Sequence, residues 1–131
     1  AEAAVVEALD WARPKLAAGP VLIHAGAAAD QVAAVQAKLG RERAGALIEG
    51  ALAAIAQGLV ASGVRRLVVA GGETSGAVVQ GLGVKALRIG PQIDPGVPAC
   101  LSVGEPHLAL ALKSGNFGAE DFFLKALDVL K

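Results

Sequence analysis

The chain has 131 residues, which is the length of a single domain. Hydrophobic residues make up 54% of it and charged residues 18%, so the composition excludes an intrinsically disordered protein. Twelve basic and twelve acidic side chains cancel, which argues against a nucleic-acid partner, because such proteins normally carry a basic excess. The single cysteine excludes an internal disulfide and a cysteine-rich zinc site. Because nothing in the composition indicates an oxidising compartment, we expect a cytoplasmic location.

The interior is expected to be built from small aliphatic side chains, because there are 17 glycines but only 3 Phe, 1 Trp and no Tyr. The most apolar stretch, Ala44–Val64, is interrupted by glycines, Glu49 and Gln57. A membrane span needs about 20 mostly apolar residues, so no membrane partner is expected. The sequence contains no methionine, and we expect it to be part of a longer protein.

In the first half of the chain the patterns predict a helix, a short buried strand, two helices and a second buried strand. In that order, they cover Ala1–Leu16, Val21–Ile23, Asp30–Leu39, Glu42–Ala61 and Leu67–Ala70. Gly40 and Ser62-Gly63 are typical helix ends. Pro14 is expected to disturb the end of the first helix, because a proline has no N–H to donate.

The second half of the chain alternates shorter segments. It predicts a helix over Ala77–Leu82, a strand over Val84–Ile89, a loop over Gly90–Pro98, strands over Ala99–Val103 and Leu108–Leu112, and a helix over Glu120–Leu130. Strands that alternate with helices and later follow one another indicate an α/β domain. We expect a three-layer sandwich with a mixed, partly parallel sheet and helices on both faces.

The glycine-rich run Gly71–Gly76 (GGETSG) follows the strand Leu67–Ala70 and precedes a helix. Ligands of open α/β sheets bind beyond the carboxyl ends of strands, and the N–H groups of a helix start attract anions. Thr74 and Ser75 add hydroxyl groups, whereas Glu73 repels a phosphate and suits a metal, a ribose hydroxyl or a backbone N–H. The alternative is an ordinary strand-to-helix turn, and the run matches neither the Walker A motif nor the G-x-G-x-x-G fingerprint.

A second glycine-bearing run, Lys113–Gly118 (KSGNFG), joins the strand Leu108–Leu112 to the last predicted helix. Lys113 either neutralises a phosphate or is an ordinary solvated lysine at the end of a strand. Two such runs at one edge of a sheet can close over a nucleotide triphosphate, so the pair is more informative than either member.

Other residues are weaker candidates. Asp94 is interpreted as a turn former before Pro95-Gly96. His24 and His107 have no further histidine or cysteine at ligand spacing, so a metal site is not expected. Cys100 is interpreted as a small buried hydrophobe. The sequence has no Ser/His/Asp set and no evident general base beside the glycine-rich runs.

Several segments together resemble the C-terminal nucleotide-binding domain of the four-carbon acid sugar kinases. They are Val68–Gln80 (VVAGGETSGAVVQ), Leu87–Pro91 (LRIGP), Ile93–Pro98 (IDPGVP), Leu110–Gly118 (LALKSGNFG), Asp121–Phe123 (DFF) and Arg41–Arg43 (RER). The resemblance covers nearly the whole chain, 1–131. It implies an ATP- and Mg²⁺-dependent kinase that phosphorylates the terminal hydroxyl of threonate, erythronate or an oxo-tetronate.

The resemblance also implies a division of labour. This domain would carry most of the ATP contacts, and a separate N-terminal domain would carry the acid-sugar site and the catalytic base. The isolated domain would then be inactive alone, and a homo-oligomer is left open. No metal ligand is assigned. The ATP-binding residues expected are Gly26, Gly71, Gly72, Glu73, Thr74, Ser75, Lys113, Ser114, Gly115 and Asn116.

Two further points stay open. The family usually has a Ser or Thr in the loop after its first strand, where this chain has His24–Ala28 (HAGAA). Either the backbone of Gly26 replaces that hydroxyl or ATP is bound more weakly. The same glycine-rich runs would also serve a non-catalytic α/β module that binds an anionic metabolite, or a structural domain in which they only permit close packing.

Overall fold

A computed structural model describes residues 2–23, 40–105, 107–114 and 121–130. The helix predicted over Asp30–Leu39 and three of the proposed nucleotide contacts, Gly26, Gly115 and Asn116, lie outside these ranges. The account below concerns the described residues.

Four α-helices form largely where the sequence predicts them. They are α1 (Glu2–Ala12), α2 (Arg41–Ala61), α3 (Gly72–Gly81) and α4 (Phe122–Val129). A 3₁₀ turn, Arg13–Lys15, continues α1, and Pro14 lies in it. The proline therefore ends the α-helical hydrogen bonding where the sequence indicates. In the described part of the chain no helix is long and apolar enough to cross a membrane.

Four strands form one mixed sheet. They are β1 (Arg66–Ala70), β2 (Leu87–Asp94), β3 (Val97–Ser102) and β4 (Ala109–Lys113), in the spatial order β1-β4-β3-β2. β1 and β4 are parallel, whereas β4 with β3 and β3 with β2 are antiparallel. The predicted mixed, partly parallel sheet is confirmed.

Buried residues lie on both faces of this sheet. One face packs on α4 through Phe122, Ala126 and Leu130, which recur every four residues along the helix. The other face packs on α2 and α3 through β-strand residues that include Val69 and Leu110. α1 packs on the side of α2 through Leu9 and Ala12. The predicted three layers, with helices on both faces, are therefore present.

Three details of the sequence prediction are wrong. Val21–Ile23 is not a strand, because Val21 and Ile23 pack against the apolar cluster between α1 and α2 rather than join the sheet. The segment Gly90–Pro98 is not a loop, since β2 extends to Asp94 and only the next two residues turn. β2 is an outer strand of the described sheet with irregular register, which is where a strand tolerates Pro91.

The third correction concerns the start of α3. The run Gly71–Gly76 is not a turn before a helix, because the helix already begins at Gly72, five residues earlier than predicted. Gly71 is the N-cap with φ 108°, a backbone angle that favours glycine. The glycine-rich motif is thus the first turn and a half of α3.

Candidate functional site

The two glycine-rich runs meet at one edge of the sheet. β1 and β4 are parallel neighbours, so their carboxyl ends lie side by side. The Gly71 N–H donates to the carbonyl oxygen of Lys113 at 2.7 Å. A Cβ atom on Gly72 would lie 3.3 Å from Ser114 Oγ, so a larger residue here would require the Ser114 side chain to move slightly. The structure therefore brings Gly71 and Gly72 together with Lys113 and Ser114.

The N-terminus of α3 presents backbone N–H groups at this edge. Gly71 has no side chain to cap the helix, and no side-chain cap hydrogen bond forms. The Gly71 carbonyl accepts the hydrogen bond of the Ser75 N–H at 2.8 Å, which closes the first turn. The N–H groups of Gly72, Glu73 and Thr74 have no acceptor within the helix. Such a helix end attracts anions through these donors and through the helix dipole.

Ser75 is the most unusual polar residue of the motif. Only 8% of its surface is exposed, and its Oγ atom has no hydrogen-bond partner among the described residues. Buried hydroxyl groups in native proteins are nearly always paired, so an orphan needs an explanation. It lies one turn inside α3, on the motif for which the sequence predicts a ligand.

The remaining predicted contacts differ in exposure. Thr74 is half-buried and lies close to Gly71, since a Cβ placed on Gly71 would be 3.4 Å from Thr74 Oγ1. Lys113 is half-buried at the end of β4, whereas Ser114 is exposed. Glu73 is exposed in the first turn of α3.

A carboxylate that the sequence did not single out lies beside this motif. Glu49, on α2, shares a side-chain hydrogen bond with Glu73. That hydrogen bond is the main cause that raises the pKa of Glu49, and partial burial and the charge of Glu73 add to it. Glu49 and Glu73 belong to different helices, so their pairing depends on how α2 and α3 pack and has no signature in the sequence.

Two carboxylates side by side are an unfavourable arrangement unless a proton or a cation lies between them. Within the described ranges there is no group of three or more His, Cys, Asp or Glu residues that could hold a metal ion. A cation at Glu49 and Glu73 would therefore need further oxygen ligands from water or from a ligand such as a phosphate.

Three of the weaker candidates, Asp94, Cys100 and His107, have neighbours that account for them without a ligand. Asp94 is not only a turn residue: its side chain is 9% exposed and forms an ion pair with Lys125, with Oδ1 and Nζ 2.5 Å apart. Asp94 raises the pKa of Lys125, chiefly through this hydrogen bond. Cys100 is buried, which raises the pKa of its thiol and is expected of a small hydrophobe. His107 is exposed, and its Nε2 atom lies 3.2 Å from Oε1 of the exposed Glu105.

Comparison with known protein families identifies the family of this chain. Residues 1–123 match the family model described as a nucleotide-binding C-terminal domain. The chain belongs to this family. A member from Pseudomonas savastanoi pv. phaseolicola, named 3-oxo-tetronate kinase, is 64% identical over 126 residues, which are 96% of this chain and 29% of that protein.

Two further relatives agree with this assignment. A protein from Burkholderia multivorans, also named 3-oxo-tetronate kinase, is 64% identical over 98% of this chain and 30% of its own length. A solved structure of a Haemophilus influenzae protein has a TM-score of 0.84 at 39% identity and covers 97% of this chain and 31% of that one. The predicted resemblance to the four-carbon acid sugar kinase family is thus confirmed. The chain spans about 30% of the length of these two curated relatives.

Proposed function

We propose that this nucleotide-binding C-terminal domain holds ATP for a kinase that phosphorylates the terminal hydroxyl of a four-carbon sugar acid. The observation that carries the proposal is the 64% identity, over 96% of the chain, to a protein named 3-oxo-tetronate kinase. An oxo-tetronate is therefore the first substrate to test, followed by threonate and erythronate. A kinase of this kind works on cytoplasmic ATP, and we place the protein in the cytoplasm.

The N-terminus of α3 is the proposed binding site of the phosphates. The N–H groups of Gly72, Glu73 and Thr74 would donate to phosphate oxygens, and Ser75 Oγ would gain a partner after a small side-chain movement. Lys113 and Ser114 lie at the neighbouring strand end, where an ammonium and a hydroxyl suit an anion. Gly26, Gly115 and Asn116 remain proposed contacts.

Glu49 and Glu73 fit the Mg²⁺ that accompanies ATP. Magnesium ions are held by one or two carboxylates, waters and substrate phosphates, and Glu73 belongs to the first turn of α3, where we propose that the phosphates bind. When bound, Mg²⁺ neutralises charge on the phosphates. Without a cation, the neighbouring Glu73 carboxylate raises the pKa of Glu49.

Phosphoryl transfer depends on positioning and on neutralising charge more than on covalent chemistry. This domain would orient the triphosphate, and the remaining part of a full-length kinase would supply the acid-sugar site and the base. Closure of the two parts would exclude water. The chain alone is therefore expected to bind ATP without turnover.

Calorimetric titration tests the proposal. The wild-type chain and its full-length parent are titrated with ATP and Mg²⁺, with AMP as the control ligand, and the parent is assayed with 3-oxo-tetronate. We expect tighter binding of ATP than of AMP, because only ATP reaches the helix end with its β- and γ-phosphates. We expect Ser75→Ala to bind ATP roughly 10- to 100-fold more weakly, because it would lose one hydrogen bond to a charged group.

Ser62→Ala is the matched control, because Ser62 follows the far end of α2 and hydrogen-bonds Arg13 and the Gly58 carbonyl. Its ATP affinity should equal that of the wild type. Equal affinity for ATP and AMP in the parent would contradict the proposed phosphate site and favour another anionic metabolite. A parent that binds ATP but does not phosphorylate any of the three acids would contradict the proposed reaction.

A further inference from the structure

The first helix carries more apolar surface than its packing against α2 uses. At 3.6 residues per turn, six apolar residues of α1 form one continuous arc over about half of the helix circumference, whereas Ala3 and Val6 lie outside it. One end of this arc, which includes Val5, Leu9 and Ala12, faces α2. A helix of a globular protein normally buries its whole apolar stripe, so the other end of the arc calls for a second contact.

Trp11 is the centre of the uncovered part. The side chain is 48% exposed, although it is the largest apolar group and the only tryptophan of the chain. Ala4 and Ala8 lie on the same flank of α1, where Ala8 also packs against the cluster between α1 and α2, and Leu22, 63% exposed, borders the same surface. These four residues, here called the Trp11 patch, line a shallow concavity of about 350 Å³ together with Glu7 and Ile23.

The tryptophan ring has a charged neighbour. The Lys15 ammonium lies 4.5 Å from the ring centroid and also donates to the Trp11 carbonyl at 3.2 Å. This cation–π contact places a positive charge over one face of the exposed ring. Exposed tryptophans are frequent anchors of protein interfaces, because they bury a large area and have only two side-chain torsions to fix.

The relatives indicate what covers the patch. Their matched region is about 30% of their length, and the family is described as a C-terminal domain, so most of each relative precedes the equivalent of α1. Trp11 lies nine residues into α1, roughly 14 Å from Glu2 along the helix axis. A preceding domain attached there would meet the patch at a high effective concentration, so a small contact suffices.

A second copy of the chain is the poorer occupant. Stable association of separate chains buries about 1,200–2,000 Å² in total, far more than the four side chains of the Trp11 patch supply. We therefore propose that the Trp11 patch is the docking surface for the part of the same polypeptide that precedes this domain. This contact goes beyond the proposed function, because ATP binding at the N-terminus of α3 does not require it.

Radical footprinting of the full-length parent tests the inference without any substitution. The labelling of each side chain is compared with its labelling in the unfolded protein. Val6 is the internal control, because it is 57% exposed on the same helix, outside the apolar arc. We expect Trp11 and Leu22 to be protected at least about tenfold more than Val6, since a covered side chain reacts only after local opening. Equal protection of all three residues would overturn the proposal.

Two additions keep the test decisive. The footprint is repeated at a protein concentration where the parent is monomeric by ultracentrifugation. Protection that is lost on dilution would identify a second copy as the occupant and overturn the proposal.

Trp11→Ser in the parent is expected to speed proteolytic cleavage just before α1 by about tenfold, whereas Val6→Ser is expected to leave it unchanged. Neither readout depends on ATP, so failure here is distinguishable from failure of the proposed kinase function.

Discussion

At the scale of single residues, the candidate site is marked by polar groups that the protein alone leaves in unfavourable surroundings. Ser75 Oγ is buried without a partner, and Glu49 and Glu73 bring two carboxyl groups together. Both features destabilise the protein in isolation and become favourable when a ligand supplies hydrogen bonds or positive charge. Their effects on stability can therefore be separated from their effects on binding.

Ser75→Ala is expected to leave the stability of the chain unchanged or to raise it by up to about 1 kcal/mol, because it removes a hydroxyl that makes no hydrogen bond. Thermal unfolding without nucleotide measures this. A loss of several kcal/mol would mean that the hydroxyl is paired in solution, and the weaker ATP binding expected of the variant would then have a structural cause.

Glu49 gives the stability of the protein a pH dependence of known sign. Its pKa is raised above the ordinary value of 4.5, so the folded state holds this proton more tightly than the unfolded state. That contribution is fully present below about pH 4.5 and is lost as the pH rises through the raised pKa. The unfolding temperature of the wild type should fall over this window.

Glu49→Gln is expected to flatten the fall, because glutamine keeps the hydrogen-bonding shape but does not titrate. Unfolding temperatures measured from pH 4 upward check this, and Glu7→Gln, which changes an exposed carboxylate on α1, is the control. Mg²⁺ should also lower the pKa of Glu49, because a cation favours the ionised form. Identical pH profiles for wild type and Glu49→Gln would contradict the pairing with Glu73.

At the scale of elements, close packing between helices depends on glycines that look alike in the sequence. A Cβ on Gly58, in α2, would lie 2.5 Å from Leu9 Cδ1 of α1, whereas a Cβ on Gly50 of the same helix would meet nothing within 4 Å. Gly58 thus permits α1 to approach α2, and Gly50 has no such role among its described neighbours. The two positions form a matched pair.

Gly50→Ala is expected to raise the free energy of unfolding by about 0.5–1 kcal/mol, because alanine loses less backbone entropy in a helix. Gly58→Ala is expected to lower it by about 1 kcal/mol, because Leu9 must leave its buried position. Denaturant unfolding of both variants measures the difference. Equal stabilisation by both substitutions would show that Leu9 moves aside without cost.

At the scale of the whole molecule, α4 covers one face of the sheet and closes the third layer. Phe122 is 2% exposed and packs with Val97 and Ala111 of the sheet. The next residue, Phe123, contacts the edge of the Phe122 ring at a centroid distance of 5.9 Å but is 41% exposed. The two phenylalanines are equal in size and differ in burial.

Phe122→Ala should therefore lower the free energy of unfolding by roughly 3–5 kcal/mol, because it removes a ring from the core. Phe123→Ala should lower the free energy of unfolding by less than about 1 kcal/mol, because the Phe123 ring is largely exposed and contributes little to the core. Chemical denaturation followed by circular dichroism compares them. Similar losses for both variants would mean that the face of α4 differs from the one described.

The amino-acid sequence by itself determined the class of fold and the family of this protein. Periodicity predicts α2, β1 and α4 within a few residues, because an apolar stripe or a short apolar run is a local property. The two glycine-rich motifs are local as well, and their order along the chain carries the resemblance.

Only the tertiary structure decided the features that depend on distant residues. Val21–Ile23 has the composition of a strand, but Val21 and Ile23 pack against the apolar cluster between α1 and α2. The helix start at Gly72 instead of Ala77 depends on Gly71 and on its hydrogen bond to Lys113, which belongs to another strand. The pairing of Glu49 with Glu73, the orphan hydroxyl of Ser75 and the uncovered flank of Trp11 likewise arise from contacts that no local pattern records.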